Sequence, residues 1–463
     1  MHILITGASG FIGKALILQL TKAGHTLTLL SRRPDLLQDR YGDMHRYYHW
    51  DCLLGPPPKD CFQSIDAIIN LMGEGVAEKR WSKKQKKRLY DTRVLGTKHL
   101  VAGAIQHAPN LSVFITTSAI GYYDHTHEQD KSITSPCGTH FLSQLCRDWE
   151  QAAMSIKDLP HVRTVCLRIG VVLGEGGALS KMKWPFILGL GAVLGSGKQW
   201  MNWIHHEDIV RLLIYALDNH KMSGTFNGVS PGNVTNRTFT KILGKILRRP
   251  TLFRIPSFMM KLLLGELSTE VLYGQRVTAT CVEGSGFTFH YNDISAALEK
   301  SLGIHFIPHL NHTVRCQRFH DFQYLPYSQE AVFSFFSDAY NLEKITPPYL
   351  KFHVLSQSTE TIQKGTLLNY RLRLRGIPIG WQTLIEKWMP PNSFIDTQLK
   401  GPYKVWRHTH TFTSAYKGTL IEDEVYYALP SIPFLSFIVS PFVRKDVRDI
   451  FLFRKHSISK LLL

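Results

Sequence analysis

Short apolar runs alternate with amphipathic segments over the first 180 residues. The runs HILITG, TLTLLSR, AIINLMG, SVFITTSA and RTVCLRIGVVLG carry the apolar density of strands buried on both faces. Between them, FIGKALILQLTKAG, LGTKHLVAGAIQH and FLSQLCRDWEQAAMSI repeat apolar residues every three or four positions, which predicts helices. Strands separated by helices require right-handed crossovers, so the pattern predicts an α/β unit built on a doubly wound, mainly parallel sheet of the Rossmann type. From about 181 to 303 the alternation weakens and glycine turns such as GLGAVLGSGKQW become frequent, as expected of a small C-terminal lobe suited to substrate selection. After about 313 the period changes to two. RLRLRGIPIGWQTLIEKW, SFIDTQL, VWRHTHTFTS and GTLIEDEVYYAL read as strands, QEAVFSFFSDAYNLEKI as a helix, and DVRDIFLFRKHSISKLL as a closing helix. Two domains follow, at 1–303 and 314–463, the second an α+β module.

Composition narrows the function classes. Of 463 residues, 44% are hydrophobic and 19% charged, enough for a sizeable core and against wholesale disorder. The seven cysteines form no C-x-x-C pair, which reads as reduced thiols in a cytoplasmic setting. The chain opens directly on a strand, so no secretory signal is expected. The longest apolar stretch, IPFLSFIVSPFV at 432–443, is interrupted by Pro433 and Pro441 and is too short for a transmembrane segment. A net charge of +18 concentrates in KRWSKKQKKRLYDTR at 79–93, read as a solvated helix face beside a nucleotide site; no nucleic-acid motif accompanies it, and no specific nucleic acid partner is expected.

The chemistry begins at ITGASGFIGKAL. Gly7, Gly10 and Gly13 fall between the first strand and first helix, where small residues let the backbone approach a pyrophosphate and the helix N-terminus meets the anion. Thr6, Phe11 and Ile12 complete this candidate loop. The second strand ends in Ser31, Arg32 and Arg33, with no Asp or Glu for ribose hydroxyls. Two guanidiniums suit a ribose 2′-phosphate, so NADP(H) is the expected cofactor.

TGASGFIG, NLMGEG, TTSAIGYY, LRIGVVLG and WIHHEDIV together resemble the extended or atypical short-chain dehydrogenase/reductase superfamily. The resemblance is narrower to its sugar-nucleotide-epimerase-like branch, labelled NAD-dependent epimerase/dehydratase or cell-division inhibitor, and 248–277 with GFTFHY resembles that branch's C-terminal segment. The resemblance implies that Asn70, Gly73 and Glu74 line the cofactor cleft and that Arg93 lies near the phosphates. It also implies a serine and a Y-x-x-x-K pair for proton transfer. Ser118 matches the serine, but counting back from Glu150 puts Leu142 and Cys146 in the tyrosine and lysine slots. Neither can replace a phenol tuned by a cation. Tyr122 and Tyr123 are the substitute acid–base candidates, with His205 or His206 as a second proton carrier and Lys181 or Lys183 as a tuning cation. The alternative is that all of them are structural.

YLPYSQEAVFSFFSDAYNLEKITPPYLKFHV, GPYKVWRHTHTF and GTLIEDEVYYALP, in that order, resemble the SRPBCC or START-like superfamily. That implies a helix-grip fold around an apolar cavity and a hydrophobic ligand. Trp406, His408, His410 and Phe412 share one strand face by the period-two rule. A His-x-His pair beside Glu422 or Glu424 has metal-ligand character, but cross-strand polar pairing explains it equally and no metal is assigned. On the last helix Val443, Val447, Ile450 and Phe451 share a face for core closure, with peripheral membrane contact left open. The expected function is NADP(H)-dependent redox chemistry, epimerase- or reductase-like, on a hydrophobic or sugar-like small molecule by a non-standard proton path, coupled to a lipid-like ligand module. The alternative is a non-catalytic NADP(H) sensor. No oligomeric state follows from the sequence.

Overall fold

The computed structural model describes residues 1–125, 130–309, 312–430 and 435–461. The chain divides into two compact units, Met1–Asp39 with His45–Leu302, and Arg40–Met44 with Gly303–Leu463.

The first unit is built on a parallel sheet of seven strands: β1 (His2–Thr6), β2 (Thr26–Ser31), β3 (Arg46–His49), β4 (Ala67–Asn70), β5 (Val113–Ala119), β6 (Arg163–Ile169) and β7 (Gly224–Gly228). Their spatial order is β7-β6-β5-β4-β1-β2-β3, with every neighbouring pair parallel. Helices α1 (Phe11–Lys22), α2 (Lys83–Tyr90), α3 (Gly96–His107) and α4 (Phe141–Met154) lie among the crossovers. The residues of β1 and β4 are buried throughout, as strands covered on both faces must be. The strand order reverses between β1 and β4, the crevice where α/β sheets bind ligands.

Five of the seven strands coincide with the apolar runs. The other two are short and sit at the sheet edges: RYYH in β3, half polar, and GTFNG in β7, whose only large apolar residue is Phe226. An edge strand needs no continuous apolar run. β7 joins the main sheet, and the rest of 181–303 adds short strand pairs, such as Phe253–Ile255 with Ala192–Leu194, and helices that share an apolar cluster around Trp203, Phe239 and Leu243. Within the family-like C-terminal segment, the end of GFTFHY is held by Asp208, at 0% exposure on α5 (His206–Asp218). Its carboxylate accepts the backbone N–H groups of His290 and Tyr291 at 2.9 Å each, and Arg211 at 2.8 Å.

The second unit carries an eight-stranded antiparallel sheet: β8 (Ile304–His309), β9 (His312–Leu325), β10 (His353–Gln357), β11 (Leu367–Leu374), β12 (Ile377–Met389), β13 (Ser393–Lys400), β14 (Val405–Ala415) and β15 (Gly418–Ala428). Their order is β8-β9-β15-β14-β13-β12-β11-β10. The hairpin β8–β9 brings the start of this unit to Gly303. The run RLRLRGIPIGW is two strands rather than one: Arg375 and Gly376 both take positive φ, 52° and 86°, the twist of a tight type I′ hairpin turn. The expected helical run at 329–345 breaks after α6 (Gln329–Phe336), with a single turn at Asn341–Lys344. The closing helix α7 (Leu435–Leu461) sets Val447 and Phe451 against Val425 and Tyr427 of the sheet. Part of the apolar stretch at 432–443 lies outside the described residues, and no described helix is long and apolar enough to cross a membrane.

Replacing Asp208 with alanine removes the acceptor of two partly buried N–H groups and is expected to cost about 2 kcal/mol. A urea titration of the full chain followed by tryptophan fluorescence checks this, and an unchanged first transition would show that the carboxylate does not hold the segment.

Candidate functional site

The cleft at the β1/β4 switch point is shaped by backbone contact. Gly7 has φ +67°, and a Cβ there would lie 2.5 Å from the Leu71 carbonyl oxygen; a Cβ on Gly13 would collide with the Gly7 carbonyl. Gly10 is the N-cap of α1 and contributes no side-chain cap, so the first N–H groups of the helix stay available to an anion. Phe11 is anchored from outside the loop: His206 stacks on its ring at 4.1 Å and donates Nε2–H to its carbonyl at 3.0 Å. Ile12 beside it is half-buried. The cleft, about 230 Å³, is lined by Thr6, Gly7 and Gly10 at its base, by Ser31, Arg32 and Arg33 on one wall, and by Gly73 and Glu74 on the other. Both arginines are exposed, and the Ser31 hydroxyl accepts the Arg33 backbone N–H at 3.0 Å, fixing the turn that presents them.

Asn70 lies beneath the cleft rather than in its wall. Its amide accepts the Thr6 hydroxyl at 2.7 Å and donates to Thr97 and Thr116 at 3.1 and 3.2 Å, tying β1, β4, β5 and α3 together. Arg93 is likewise a brace. It sits on a five-residue π-helical turn, Asp91–Leu95, donates to the Glu74 carbonyl at 2.8 Å, and fills the space where a Gly73 side chain would go. Arg88, from the basic segment, lines the cleft and pairs with Glu74 at 3.2 Å. Asp51 and Thr92 also line it. The basic run hid Arg88, because KKQKKRLY is polar at nearly every position and so gives no period that says which residue of α2 faces inward.

Past β5 lies a second cluster. Ser118 is buried, and its hydroxyl lies against the Cys146 thiol. Leu142 packs against Gly121, and burial together with the Glu150 charge pushes the Cys146 thiol up to about 12. Glu150 binds Arg168 of β6 through two 2.8 Å hydrogen bonds. The Arg168 guanidinium lies 3.4 Å from the centre of the Tyr122 ring and donates to the Tyr123 hydroxyl at 3.0 Å. Tyr123 is fully buried, donates to Asn227 at 2.6 Å, and is held above the usual phenol range by burial. Tyr122 is half-buried. The cation at these tyrosines is therefore Arg168, whose signal in the sequence is an arginine set among the apolar residues of RTVCLRI, away from Arg163 at the strand's start. His205 stands apart: it caps α5 by accepting the Glu207 N–H at 3.2 Å, packs its ring 3.8 Å from that of Tyr291, and burial lowers its pKa to about 4.

The second unit encloses a cavity of about 190 Å³ lined by aromatic side chains that include Phe336, Tyr370, Trp388 and Trp406, with His408 and His410 in its wall. Neither Glu422 nor Glu424 joins these histidines. By strand alternation both lie on the opposite face of β15, where they pair with His320 at 3.2 Å and Arg318 at 2.6 Å.

Comparison with known proteins agrees with this division. Residues 3–227 match the NAD dependent epimerase/dehydratase family, residues 255–301 a domain of unknown function (DUF1731), and residues 325–451 polyketide cyclase / dehydrase and lipid transport. An epimerase family protein of Mycobacterium leprae is 37% identical over 296 residues, covering 64% of this chain and 93% of its own length. The chain belongs to the NAD-dependent epimerase/dehydratase family. The mouse epimerase family protein SDR39U1 is 35% identical over 65% of this chain and 99% of its own. Among solved structures, human SDR39U1 with NADPH aligns with a TM-score of 0.58 at 32% identity, over 65% of this chain and 99% of that one. A nucleoside-diphosphate sugar epimerase from Corynebacterium glutamicum aligns with a TM-score of 0.53 at 30% identity, over 65% of this chain and 58% of that one.

In this family member His205 is positioned to make stability depend on pH. Unfolded, it takes up a proton near 6.5; folded, it does so only near 4. Between those values the unfolded chain binds more protons, so this contribution is complete above 6.5 and is lost as pH falls toward 4. His206, also lowered by burial, adds in the same direction. His205→Asn keeps a capping acceptor and is expected to flatten the fall in urea midpoint between pH 7 and pH 4.5; an undiminished slope would place the dependence elsewhere.

Proposed function

We propose that the first unit binds NADP(H) across the β1/β4 switch point and uses it in redox chemistry on a hydrophobic or sugar-like small molecule. The observation that carries this reading is the wall of Ser31, Arg32 and Arg33 beside a cradle too tight for any Cβ at Gly7. Gly7, Gly10 and the first turn of α1 would take the pyrophosphate, and the arginine pair the 2′-phosphate. Thr6 and Asn70 hold the two strand ends at the spacing the cradle needs. The solution of human SDR39U1 with NADPH supports the phosphorylated cofactor.

When bound, the nicotinamide supplies hydride transfer. The chain's own part is to place a proton carrier near the substrate. Tyr122 suits that role because its ring is half-buried under a guanidinium pinned by Glu150, whereas Tyr123 is already committed to Asn227. The Ser118 hydroxyl, at the end of β5 beside Tyr122, would turn from the Cys146 thiol to meet a substrate oxygen. The apolar cavity of the second unit would hold a hydrophobic ligand, in line with its match to lipid-transport domains. The seven free thiols support a cytoplasmic setting.

A second reading, a non-catalytic NADP(H) sensor, is favoured by Leu142 and Cys146. Both are buried in one apolar cluster with Trp81 and Trp149, with neither a phenol nor a cation between them.

Calorimetry separates the cofactor assignment from the question of chemistry. Arg32→Ala with Arg33→Ala is expected to weaken NADPH binding about 10- to 100-fold, roughly 1.5–3 kcal/mol, while changing NADH binding only marginally. Equal losses for both cofactors would remove the 2′-phosphate role. Tyr122→Phe is expected to abolish NADPH oxidation in a screen of carbonyl compounds without changing cofactor affinity. Unchanged turnover would exclude the tyrosine, and tight binding with no turnover in the parent chain would favour the sensor.

A further inference from the structure

Asp396, His408 and His410 line the second unit's cavity and Asp423 lies behind them, a cluster that the cofactor reading does not use. The β13–β14 register sets Asp396 opposite His408, and the β14–β15 register sets Asp423 opposite His410. Asp423 Oδ1 lies 2.9 Å from His408 Nε2 and 3.0 Å from His410 Nδ1. Asp396 Oδ2 lies 3.5 Å from His408 Nδ1 and 3.1 Å from His410 Nε2. The imidazoles are 3.7 Å apart between ring centres and are 4% and 3% exposed. Phe394 stacks on His410 at 4.1 Å, and Phe451 meets His408 edge-on at 5.3 Å, so both rings are held in place.

All four ring nitrogens thus face a carboxylate oxygen, yet a neutral imidazole has one N–H. Two imidazoliums side by side would satisfy every contact, but burial and mutual repulsion oppose that state. His408 Nε2 hydrogen-bonds Asp423 Oδ1 and His410 Nε2 hydrogen-bonds Asp396 Oδ2. His410 Nδ1, though 3.0 Å from Asp423 Oδ1, is buried without a hydrogen-bond partner among the described residues, and His408 Nδ1 and His410 Nε2 converge on Asp396 Oδ2. That convergence has the dimensions of a metal site: donors about 2.0–2.1 Å from a tetrahedral ion stand about 3.3 Å apart. Asp423 then occupies the position of the outer carboxylate that orients a metal-bound histidine.

We propose that Asp396, His408 and His410 form a binding site for a divalent first-row transition ion, with Asp423 as the positioning residue for His408. Two histidines and one carboxylate leave coordination positions open, as in catalytic zinc and non-haem iron sites, and here the ligands border the aromatic cavity. Arg454, buried beside both aspartates, leaves the unloaded cluster one negative charge in excess when the histidines are neutral. A divalent ion reverses that excess, which favours one anionic group at the open position: hydroxide, or the carboxylate of an apolar acid. The site stands independently of the NADP(H) assignment.

The test is a zinc titration of the full chain after stripping with a chelator, with cobalt substitution as the spectroscopic readout. The expected result is one saturable equivalent and a visible cobalt spectrum without a thiolate charge-transfer band. Asp396→Asn, His408→Asn and His410→Asn should each abolish binding, Asp423→Asn should weaken it about 10- to 100-fold, and His320→Gln should leave it unchanged. Absence of saturable binding by the parent chain, a thiolate band, or full binding by the His408 and His410 variants would each overturn the site. Should those variants fail to fold, zinc-edge X-ray absorption of the loaded parent chain decides: a nitrogen and oxygen shell with imidazole scattering supports the assignment, and sulfur in the shell refutes it.

Discussion

The first unit depends on how closely two strand ends approach each other. β1 and β4 leave the sheet side by side, and the backbone at Gly7 passes so near Leu71 that a single methyl group would not fit. A turn this tight directs the start of α1 at the crevice, and Asn70 secures it by joining three strands and a helix through one carboxamide. The walls follow from the same constraint. β2 lies beside β1 and delivers Ser31, Arg32 and Arg33 to one side, while the loop after β4 delivers Gly73 and Glu74 to the other. Arg93 works from behind, holding the Glu74 carbonyl and occupying the space a larger residue at 73 would need.

The two positions of α4 where the resemblance would put a tyrosine and a lysine serve packing, and the charged pair nearby lies on α4 and β6. Leu142 and Cys146 belong to a buried helix stripe, and the nearby carboxylate of Glu150 reaches across to Arg168 on β6. A charge pair this deeply buried is weak evidence for stability, since desolvation offsets most of its attraction. Its value here is orientation: Glu150 fixes the guanidinium, and the guanidinium covers one face of Tyr122 while bonding Tyr123.

What the sequence disclosed was mostly steric and local. The glycine spacing, the missing acid after β2 and the apolar runs of the central strands all act over a few neighbouring residues, so they were readable. β3 and β7 escaped because edge strands need little apolar content, and the hairpin at Arg375–Gly376 was read as one strand because alternation continues through it. The Glu150–Arg168 bridge joins residues 18 apart through tertiary packing, which no periodicity encodes. Strand parity placed His408 and His410 on one face, but only the cross-strand register shows that Asp396 and Asp423 meet them while Glu422 and Glu424 turn away.

The central claim is that two guanidiniums at the end of β2 hold a ribose 2′-phosphate. Phosphorus NMR of NADP+ titrated with the chain observes that group directly. The account expects the 2′-phosphate resonance to shift on binding and to lose its second proton well below about 6, the ordinary value for a phosphate monoester, because paired arginines favour the dianion. A resonance that keeps its free position and titrates at its ordinary pH while the pyrophosphate signals move would contradict it.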